Sequence, residues 1–355
     1  MKELKINKNV IRRIAIILAI LLAVAVILIV VKNFSTEKVN NTTSLIINNR
    51  DVTNGLKHDI KIEDGIIYMS MDDVENYFDK YIYIEEEIDE IITTYDDKIA
   101  SIGFESNKLT LNGAVKKINA RAISDGEICY LPISEMLDVY NVELTNIEKT
   151  NTITLDSLDR KQVKATLKSK ASVKSQGKLL SRLIDKAEKG SEVIVIGETE
   201  AKNWVKVRTE NGKIGYVKTS KLENITTVRE EEIKEKQITG KVNMFWDYFS
   251  QWVQAPNRAG QTIEGVNVVS PSFFYLDEDN GALRENVGDA GKSYIDWAHS
   301  NGYKVWPMLS NAEAGIKITS NILNSYTKRQ SLIQSIVEKC ALYDIDGINV
   351  DFENM

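Results

Sequence analysis

Hydrophobic and polar positions divide the chain into five stretches with different periods. An unbroken apolar run near the N-terminus predicts one long helix. Residues 40–160 and 163–223 contain short apolar runs separated by turn residues, which predict strands. Residues 224–237 are polar and predict a linker with one or two turns of exposed helix. From residue 238 onward, strand-like and helical patterns alternate, which indicates a parallel sheet within a multidomain chain.

The N-terminal apolar run extends from Ile14 to Val31, and every residue in it is Ile, Ala, Leu or Val. As a helix it would be about 27 Å long, close to the thickness of the bilayer hydrocarbon core. Five basic residues precede the run, so the positive-inside rule places residues 1–36 as a cytoplasmic tail and anchor. A cleaved signal peptide is the alternative, but residues 31–34 lack its small-residue cleavage pattern. We expect a single-pass protein of the cell membrane with extracellular C-terminal domains.

Charge is distributed in blocks along the chain. The net charge is −6, yet residues 160–222 carry 16 basic and 6 acidic side chains. An acidic balance overall disfavours a nucleic-acid-binding protein. With two His and two Cys in the whole chain, a His-rich metal site or a disulfide framework is not expected. Any chemistry is therefore predicted to depend on carboxylates, with no cofactor and no metal.

Residues 40–160 contain a weak internal repeat with an offset of about 62 residues. Residues 45–49 resemble 109–113, and residues 68–74 resemble 130–136. Each copy predicts a strand, a turn, a second strand and a short helix opened by a Ser or Asp cap. The pattern resembles the duplicated α+β domain called copper amine oxidase N-terminal-like, found in surface proteins of Gram-positive bacteria. With His58 alone, copper binding is not expected, and we interpret the domain as a structural or wall-contacting spacer.

An acidic run follows the first copy of the repeat, at residues 85–90. Calcium binding is one interpretation of such a run. The run lacks the alternating oxygen ligands and the glycine of a calcium loop, so a solvated helix face is favoured.

Residues 163–223 predict a small β-barrel, with short buried strands at 193–196 and 204–207. Asn211 and Gly212 form a two-residue hairpin signal, and Gly215 permits a close backbone approach. The stretch resembles a bacterial SH3-like domain, a family whose members often bind cell-wall peptides or glycans. Its basic charge would attract anionic wall polymers such as teichoic acids or peptidoglycan carboxylates. A lysine-rich face that serves only solubility is the alternative. The resemblance is carried by Val173, the pairs at 179–180 and 183–184, and residues 189–193, 204–207 and 211–217.

The last part of the chain predicts four strands in order, at 241–245, 265–269, 303–309 and 346–352. A helix is expected from Asp289 to the glycine at 302, and another capped by Thr327.

The final strand carries the motif Asp-Gly-Ile-Asn-Val-Asp-Phe-Glu at residues 346–353. Alternate side chains of a strand share a face, so Asn349, Asp351 and Glu353 are expected to point the same way. Two carboxylates two residues apart on one face disfavour double ionisation. The pKa of one of them is therefore expected to be raised, producing a group suited to protonating a leaving group.

This motif resembles the signature of glycoside hydrolase family 18, the chitinase-like (β/α)8 TIM barrels, D-G-x-D-x-D-x-E. The resemblance implies that Glu353 is the general acid, and that Asp351 orients the substrate's 2-acetamido group for substrate-assisted retaining hydrolysis. Asp346 would be the first, more structural acid. Asn349 stands where the signature has an Asp, which leaves the pH optimum open, and the family's S-x-G-G on the third strand is absent. Residues 268–274, 298–306 and 309–311 resemble the spore and cell-wall branch of the family.

Trp246 and Asp247 follow the first strand and are candidates to line a sugar site, although a core position for Trp246 is equally compatible with the pattern. His299 is expected to be a surface or second-layer residue far from the motif.

A complete barrel needs about 250 residues, and residues 240–355 provide fewer than half of them. We therefore expect the N-terminal half of a TIM barrel, from a truncated product of a longer gene or from a chain that needs a partner. Two functions remain. One is a membrane-anchored extracellular glycosidase acting on β-1,4-linked N-acetylglucosamine in peptidoglycan or chitin-like glycans. The other is a non-catalytic cell-wall-binding protein with an incomplete glycosidase domain.

Overall fold

The computed structural model describes residues 16–24, 26–27, 42–197, 203–232, 238, 240–250, 252–253 and 255–353. Contacts divide the chain into two compact units, Met1–Ile84 with Asp89–Ile233 and Glu85–Ile88 with Lys234–Met355.

The described residues cover the central part of the predicted apolar run at 14–31. Residues 16–24 and 26–27 are helical and exposed, whereas the start and the end of the apolar run are not described. No helix within the described ranges combines the length and apolar character needed to cross a membrane. The transmembrane anchor therefore stays a prediction.

The first part of the larger unit is an α+β arrangement of three sheets. One sheet has the order β12-β13-β1-β2, another β10-β11-β4-β3, and the third β5-β6-β7-β8-β9. The core between them contains Met69, Leu131, Ile133 and Ile153, all fully buried. The strands are β1 (Ser44–Ile47), β2 (Arg50–Asp51), β3 (Lys61–Glu63), β4 (Ile66–Ser70), β5 (Tyr83–Glu85), β6 (Glu90–Tyr95), β7 (Lys98–Gly103), β8 (Lys108–Leu111), β9 (Ala114–Lys117), β10 (Ile123–Asp125), β11 (Ile128–Leu131), β12 (Val142–Ile147) and β13 (Thr152–Ser157), and the helices are α1 (Met71–Tyr77) and α2 (Leu137–Tyr140).

The internal repeat is visible in this part of the fold. Strands β4 and β11, which occupy equivalent positions in the two copies, pair antiparallel in one sheet. Asn48 and Asn112, also equivalent, both adopt left-handed backbone at a hairpin turn. Ser70 caps α1 by accepting a hydrogen bond from the Asp73 N–H, as predicted, whereas α2 has no side-chain cap.

The prediction of a helix face for the acidic run was wrong. Residues 86–89 form a turn between β5 and β6, and Asp89 has left-handed backbone there.

The second part of the larger unit is a seven-stranded sheet with the order β16-β15-β19-β18-β17-β14-β20. Val173, Val207 and Val217 are fully buried at its centre. The predicted close approach at Gly215 is confirmed, because a Cβ there would lie 2.6 Å from Val173 Cγ1 and 2.7 Å from the Lys174 carbonyl oxygen. The strands are β14 (Gln162–Leu167), β15 (Ala171–Lys174), β16 (Leu183–Ala187), β17 (Glu192–Ile196), β18 (Trp204–Thr209), β19 (Ile214–Lys218) and β20 (Leu222–Arg229).

The predicted linker at 224–237 begins too early. Strand β20 continues to Arg229 and pairs antiparallel with β14 along its length, so this stretch belongs to the sheet. Residues 233–237 lie outside the described residues, and the exposed helix predicted there is not tested.

Hydrogen bonds join the two parts of the larger unit. Arg208 of β18 forms a two-pronged ion pair with Asp156 of β13, and both side chains are almost fully buried. Beside this pair, Thr150 Oγ1 donates to the Asn211 carbonyl oxygen over 2.9 Å. The Asn211–Gly212 hairpin turn is thereby held against residues 150–152.

The smaller unit contains parallel strands and helices in the predicted order. Strands β21, β22 and β25 form one parallel sheet, and β23, β26 and β27 form another with β24 antiparallel at its edge. The strands are β21 (Met244–Asp247), β22 (Val268–Pro271), β23 (Phe274–Leu276), β24 (Leu283–Glu285), β25 (Lys304–Val305), β26 (Met308–Ser310) and β27 (Asn349–Asp351), and the helices are α3 (Gly288–Ser300), α4 (Gly315–Leu323) and α5 (Tyr326–Tyr343).

Compared with the sequence analysis, the four predicted strands begin one to three residues later, and the third is divided into β25 and β26, which lie in different sheets. Strands β23 and β24 and helix α4 were not predicted. Helix α5 begins at Tyr326 with Ser325 at its N-cap position, so the prediction that Thr327 caps this helix was wrong. The core contains Val269, Phe273 and Tyr294. The arrangement is an open set of strands and helices, and a TIM barrel is not shown.

Candidate functional site

The motif of residues 346–353 lies on and around β27, the last described strand. Asn349 and Asp351 are half-buried, and Glu353 is exposed just beyond the strand end. Val350, on the opposite face, is 60% exposed, whereas Ile348 and Phe352 pack against the core, so the core covers this face only in part. The motif thus presents its polar face at the carboxyl end of β27, where parallel strands place reactive groups.

Asp346 is held firmly before the strand. Its carboxylate accepts hydrogen bonds from Lys304 Nζ over 2.7 Å, His299 Nε2 over 3.0 Å and the Val305 N–H over 2.9 Å. Burial acts to raise the pKa of Asp346, but these three donors outweigh it, so its pKa lies below the ordinary value. A carboxylate with this many donors is a structural anchor that fixes the start of β27 against β25.

His299 belongs to this anchor. The prediction that it lies far from the motif was wrong, because its ring contacts Asp346 directly. Its position behind the motif agrees with a second-layer residue, and it is about 30% exposed.

The side chain of Trp306 explains why the residue after Asp346 is a glycine. A Cβ at this position would lie 2.8 Å from both Cδ1 and Nε1 of Trp306, closer than real side chains approach. The indole of Trp306 therefore packs directly on the motif backbone, which only glycine permits.

Asn349 is positioned by a neighbouring strand. Its Nδ2 donates to Ser270 Oγ on β22 over 3.1 Å, and Ser270 is 1% exposed. Among the described residues, Asn349 forms no hydrogen bond with Asp351. Asn349 thus links β27 to β22, a buried strand of the other sheet.

Glu353 is fixed through its backbone. The Glu353 N–H donates to Asn311 Oδ1 over 2.8 Å, and its carbonyl oxygen accepts from Asn311 Nδ2 over 3.1 Å. Asn311 is 1% exposed and also donates to Thr319 Oγ1 of α4. One amide side chain therefore sets where the Glu353 carboxylate emerges, while the side chain of Glu353 stays in solvent.

Ser270 and Asn311 are site residues that sequence reasoning missed. Both are polar, both follow predicted apolar strands, and both are fully buried. A polar residue that follows an apolar run, at the carboxyl end of a predicted parallel strand, is the sequence signal that could have identified them.

Trp246 and Asp247, the two predicted sugar-contacting residues, differ in their surroundings. Trp246 is 59% exposed, so its ring is available for stacking and the alternative of a core position is not supported. Asp247 is buried. Its carboxylate accepts from Arg258 Nε and Nη2 over 2.7 and 2.5 Å and from the Tyr294 hydroxyl over 2.7 Å.

These contacts make Asp247 part of a buried network rather than an open ligand for sugar. Burial and the carboxylate raise the pKa of Tyr294 well above its ordinary value, so its hydroxyl remains a donor to Asp247. The hydrogen bond to Asp247 raises the pKa of Arg258, which stays cationic. Within the described ranges, no three His, Cys, Asp or Glu side chains are grouped so as to hold a metal ion.

Comparison with known proteins identifies one module of the larger unit. Residues 169–223 match the bacterial SH3 domain family. The matched residues extend from the start of β15 to the beginning of β20. No curated protein matches the chain.

Among solved structures, the chain is similar to several chitinases. A chitinase from Bacteroides thetaiotaomicron is 22% identical, with a TM-score of 0.26 over 32% of this chain and 37% of that one. An immunomodulatory active chitinase from Trichuris suis is 20% identical, with a TM-score of 0.26 over 32% of this chain and 33% of that one. The C-terminal domain of a protein described as a chitinase from Desulfitobacterium hafniense is 23% identical, with a TM-score of 0.26 over 33% and 35%. The chain spans about a third of the length of these chitinase chains.

Proposed function

We propose that the protein is a membrane-anchored extracellular glycosidase that hydrolyses β-1,4-linked N-acetylglucosamine glycans, in peptidoglycan or in chitin-like polymers. The observation that carries this proposal is the placement of Glu353. Its backbone is held by Asn311 just beyond β27, the strand that carries Asp351, and Glu353 is exposed. A solvent-facing acid on a fixed backbone is what a general acid needs to reach a glycosidic oxygen.

The roles of the two carboxylates follow from their positions. Glu353 protonates the leaving glycosidic oxygen, while Asp351, half-buried on the same strand face, orients the 2-acetamido group that attacks the anomeric carbon. The bond from that carbon to the leaving oxygen breaks as the acetamido oxygen bonds to it. Water then opens the resulting oxazolinium with retention. Trp246 offers an exposed ring on which a sugar face can stack.

The catalytic step requires no cofactor or metal in this proposal, since the substrate supplies its own nucleophile. The domains proposed are a cytoplasmic tail and anchor at 1–36, an α+β spacer at 40–160, the SH3-like domain, and the first half of a TIM barrel from 238 to 355. Partners are a polysaccharide, anionic wall polymers and the membrane, with no nucleic acid.

The experiment compares the full chain with Glu353→Gln in the release of reducing ends from purified peptidoglycan and from chitin oligosaccharides. We expect loss of activity in Glu353→Gln, because Gln cannot donate a proton to the leaving oxygen. Glu278→Gln is the matched control, since Glu278 is exposed in the β23–β24 turn. Equal activity in wild type and Glu353→Gln would contradict the proposed acid.

A second candidate function is favoured by one observation, the basic SH3-like domain. With 16 basic and 6 acidic residues between 160 and 222, it is suited to retaining the protein on anionic wall polymers without catalysis. This function is supported over the glycosidase if the full chain releases no reducing ends but sediments with cell walls and is released from them by added salt.

A further inference from the structure

A polar cleft of about 560 Å³ lies within the larger unit, at the junction of its two parts. One wall is the β1–β2 hairpin of the α+β part. The other is formed by β16 and β18 and by the β18–β19 hairpin of the SH3-like sheet. Neither part contains this cleft alone, so it is a feature of their combination.

The lining of the cleft is strongly cationic. Arg50, Arg182, Lys206 and Lys213 line it, whereas Asp51 is the one acidic residue among the lining residues. The carboxylate of Asp51 is already engaged, because it accepts hydrogen bonds from the N–H and Oγ1 of Thr53. The positive charge of the cleft is therefore not balanced from within the lining.

Two of these cations have no carboxylate partner in the part of the chain that the structure describes. Among the described residues, neither Lys206 nor Lys213 forms an ion pair, although Lys164 of β14 and Lys170 just before β15 do. Both lysines are half-exposed and lie on the same wall. Their ammonium groups can therefore meet an anion without first breaking an existing pair.

The remaining lining is apolar in part. Ile46, Ile184 and Ile214 contribute side chains to the same cleft, and the first two are almost fully buried. Asn49 also lines it, and its buried Oδ1 has no hydrogen-bond partner among the described residues. The cleft thus combines cations, apolar walls and an acceptor that lacks a donor.

The walls are held in a fixed relation. The buried ion pair of Arg208 and Asp156, together with the bond from Thr150 to the Asn211 carbonyl, joins the SH3-like wall to residues 150–156, and β13 in this stretch pairs with β1 of the other wall. A ligand would meet a preformed site, which reduces the entropy lost on binding.

We propose that this cleft binds an acidic peptide segment. Carboxylates of the peptide meet Lys206 and Lys213, its methyl-bearing side chains pack on the isoleucines, and a backbone N–H is available for the unpaired amide oxygen. The apolar walls favour a peptide over a polyol phosphate, which has the anions but not the methyl groups. This inference names a ligand for the wall-binding function proposed above and does not depend on glycosidase activity.

The test is equilibrium binding of a fluorescein-labelled hexapeptide of alternating Ala and Glu to the full chain, by fluorescence polarisation at low and high salt. The matched probe is the alternating Ala and Gln hexapeptide with the same label. We expect binding of the Glu peptide, weakened by salt, and at least tenfold weaker binding of the Gln peptide. Equal binding of the two peptides would overturn the proposal.

The double variant Lys206→Ala/Lys213→Ala is expected to raise the Kd for the Glu peptide about tenfold or more. Lys218→Ala is the control, because Lys218 is exposed on the same sheet outside the lining, and its Kd should change less than twofold. If the double variant unfolds at a lower temperature, Lys206→Gln/Lys213→Gln replaces it. An unchanged Kd in a folded double variant would overturn the assignment.

A competition experiment distinguishes a peptide with carboxylates from a phosphate polymer as the ligand. Poly(glycerol phosphate) that displaces the peptide at equal or lower charge concentration would overturn the peptide in favour of a phosphate polymer. Sedimentation with cell walls is measured separately on the same variants. If the variants still sediment with cell walls but the protein does not bind the peptide, the wall-binding function is retained and the cleft is rejected as its peptide site.

Discussion

The guanidinium of Arg208 forms two hydrogen bonds with the carboxylate of Asp156, and the two side chains are only 5% and 10% exposed. This pair joins the SH3-like sheet to the most buried strand of the α+β part, β13, in which every residue is buried. The two parts are therefore expected to unfold together.

Asp156→Ala should lower the free energy of unfolding of the larger unit by about 3–5 kcal/mol, because Arg208 would be left as a buried charge without a partner. Chemical unfolding followed by circular dichroism measures this change. Glu143→Ala is the matched control, since Glu143 pairs with Arg229 at the surface and its removal should change stability by about 1 kcal/mol or less. Replacing both buried partners, as in Asp156→Leu/Arg208→Met, should recover much of the loss. A loss no greater than that of Glu143→Ala would show that the pair does not couple the two parts.

Gly212→Ala should destabilise the junction more than an ordinary turn substitution. Gly212 has a φ of 72°, and a Cβ there would lie 2.8 Å from Thr152 Cγ2. Gly190→Ala is the control, because Gly190 has a φ of 85° with no atom within 4 Å of a built Cβ. The control should lose about 1 kcal/mol from backbone strain alone, and Gly212→Ala clearly more. Equal losses in thermal unfolding would mean that the hairpin moves away from Thr152 without penalty.

The hydrogen bonds to the Asp346 carboxylate predict that the free energy of unfolding depends on pH. Because its folded pKa lies below the ordinary 3.8, the carboxylate stabilises the fold above that value, and this contribution is lost as the pH falls through the folded pKa. Asp346→Asn lacks this contribution at every pH. The stability difference between wild type and Asp346→Asn should therefore be largest above pH 5 and shrink below pH 4.

The groups that face Asp346 are Lys304, His299 and the Val305 N–H, and exposed Asp344 lies 3.8 Å from His299. Asp344→Asn is the control, and its stability should follow the wild-type pH curve. If the difference in the free energy of unfolding between wild type and Asp346→Asn were constant from pH 6 to pH 2, the stabilising role of the Asp346 carboxylate would be contradicted.

Asn311→Ala should affect the position of Glu353 rather than its chemistry. The substitution removes two hydrogen bonds that hold the Glu353 backbone, and a misplacement of about 1 Å can reduce a rate by about 100-fold. We expect kcat to fall by about 10- to 100-fold with little change in KM and with the same pH profile. Thr319→Ala, which leaves both backbone bonds in place, is the control. A change in KM alone would assign Asn311 to substrate binding instead.

Local patterns predicted the parts of the fold that depend on neighbours in sequence. The hairpin signal at Asn211–Gly212 and the buried strand at 193–196 are where they were expected. The four strands predicted for the smaller unit also occur in the expected order, with the third divided into β25 and β26, since alternating apolar runs and helical periods are local signals. Their bounds were less accurate, because a strand begins where its partner begins, and that partner is remote in sequence.

Features fixed by remote partners could not be predicted. Strand β20 was interpreted as linker because its residues are polar, and only pairing with β14 makes it a strand. Asp247 was assigned to sugar binding, yet Arg258 and Tyr294, 11 and 47 residues away, enclose it. The hydrogen bonds between Asn311 and the Glu353 backbone join residues that are 42 positions apart, so no local sequence pattern indicates them.

Strand β1 enters the α+β part and β13 leaves it, and the two run parallel with Ser44 opposite Thr152 and Ile47 opposite Leu155. Their outward connections therefore leave from opposite ends of the ladder. Tension applied through the chain on either side would pull the two strands along their length, in shear. All bonds of the ladder would then resist together instead of opening one by one. We expect this geometry to make the α+β part resistant to mechanical unfolding.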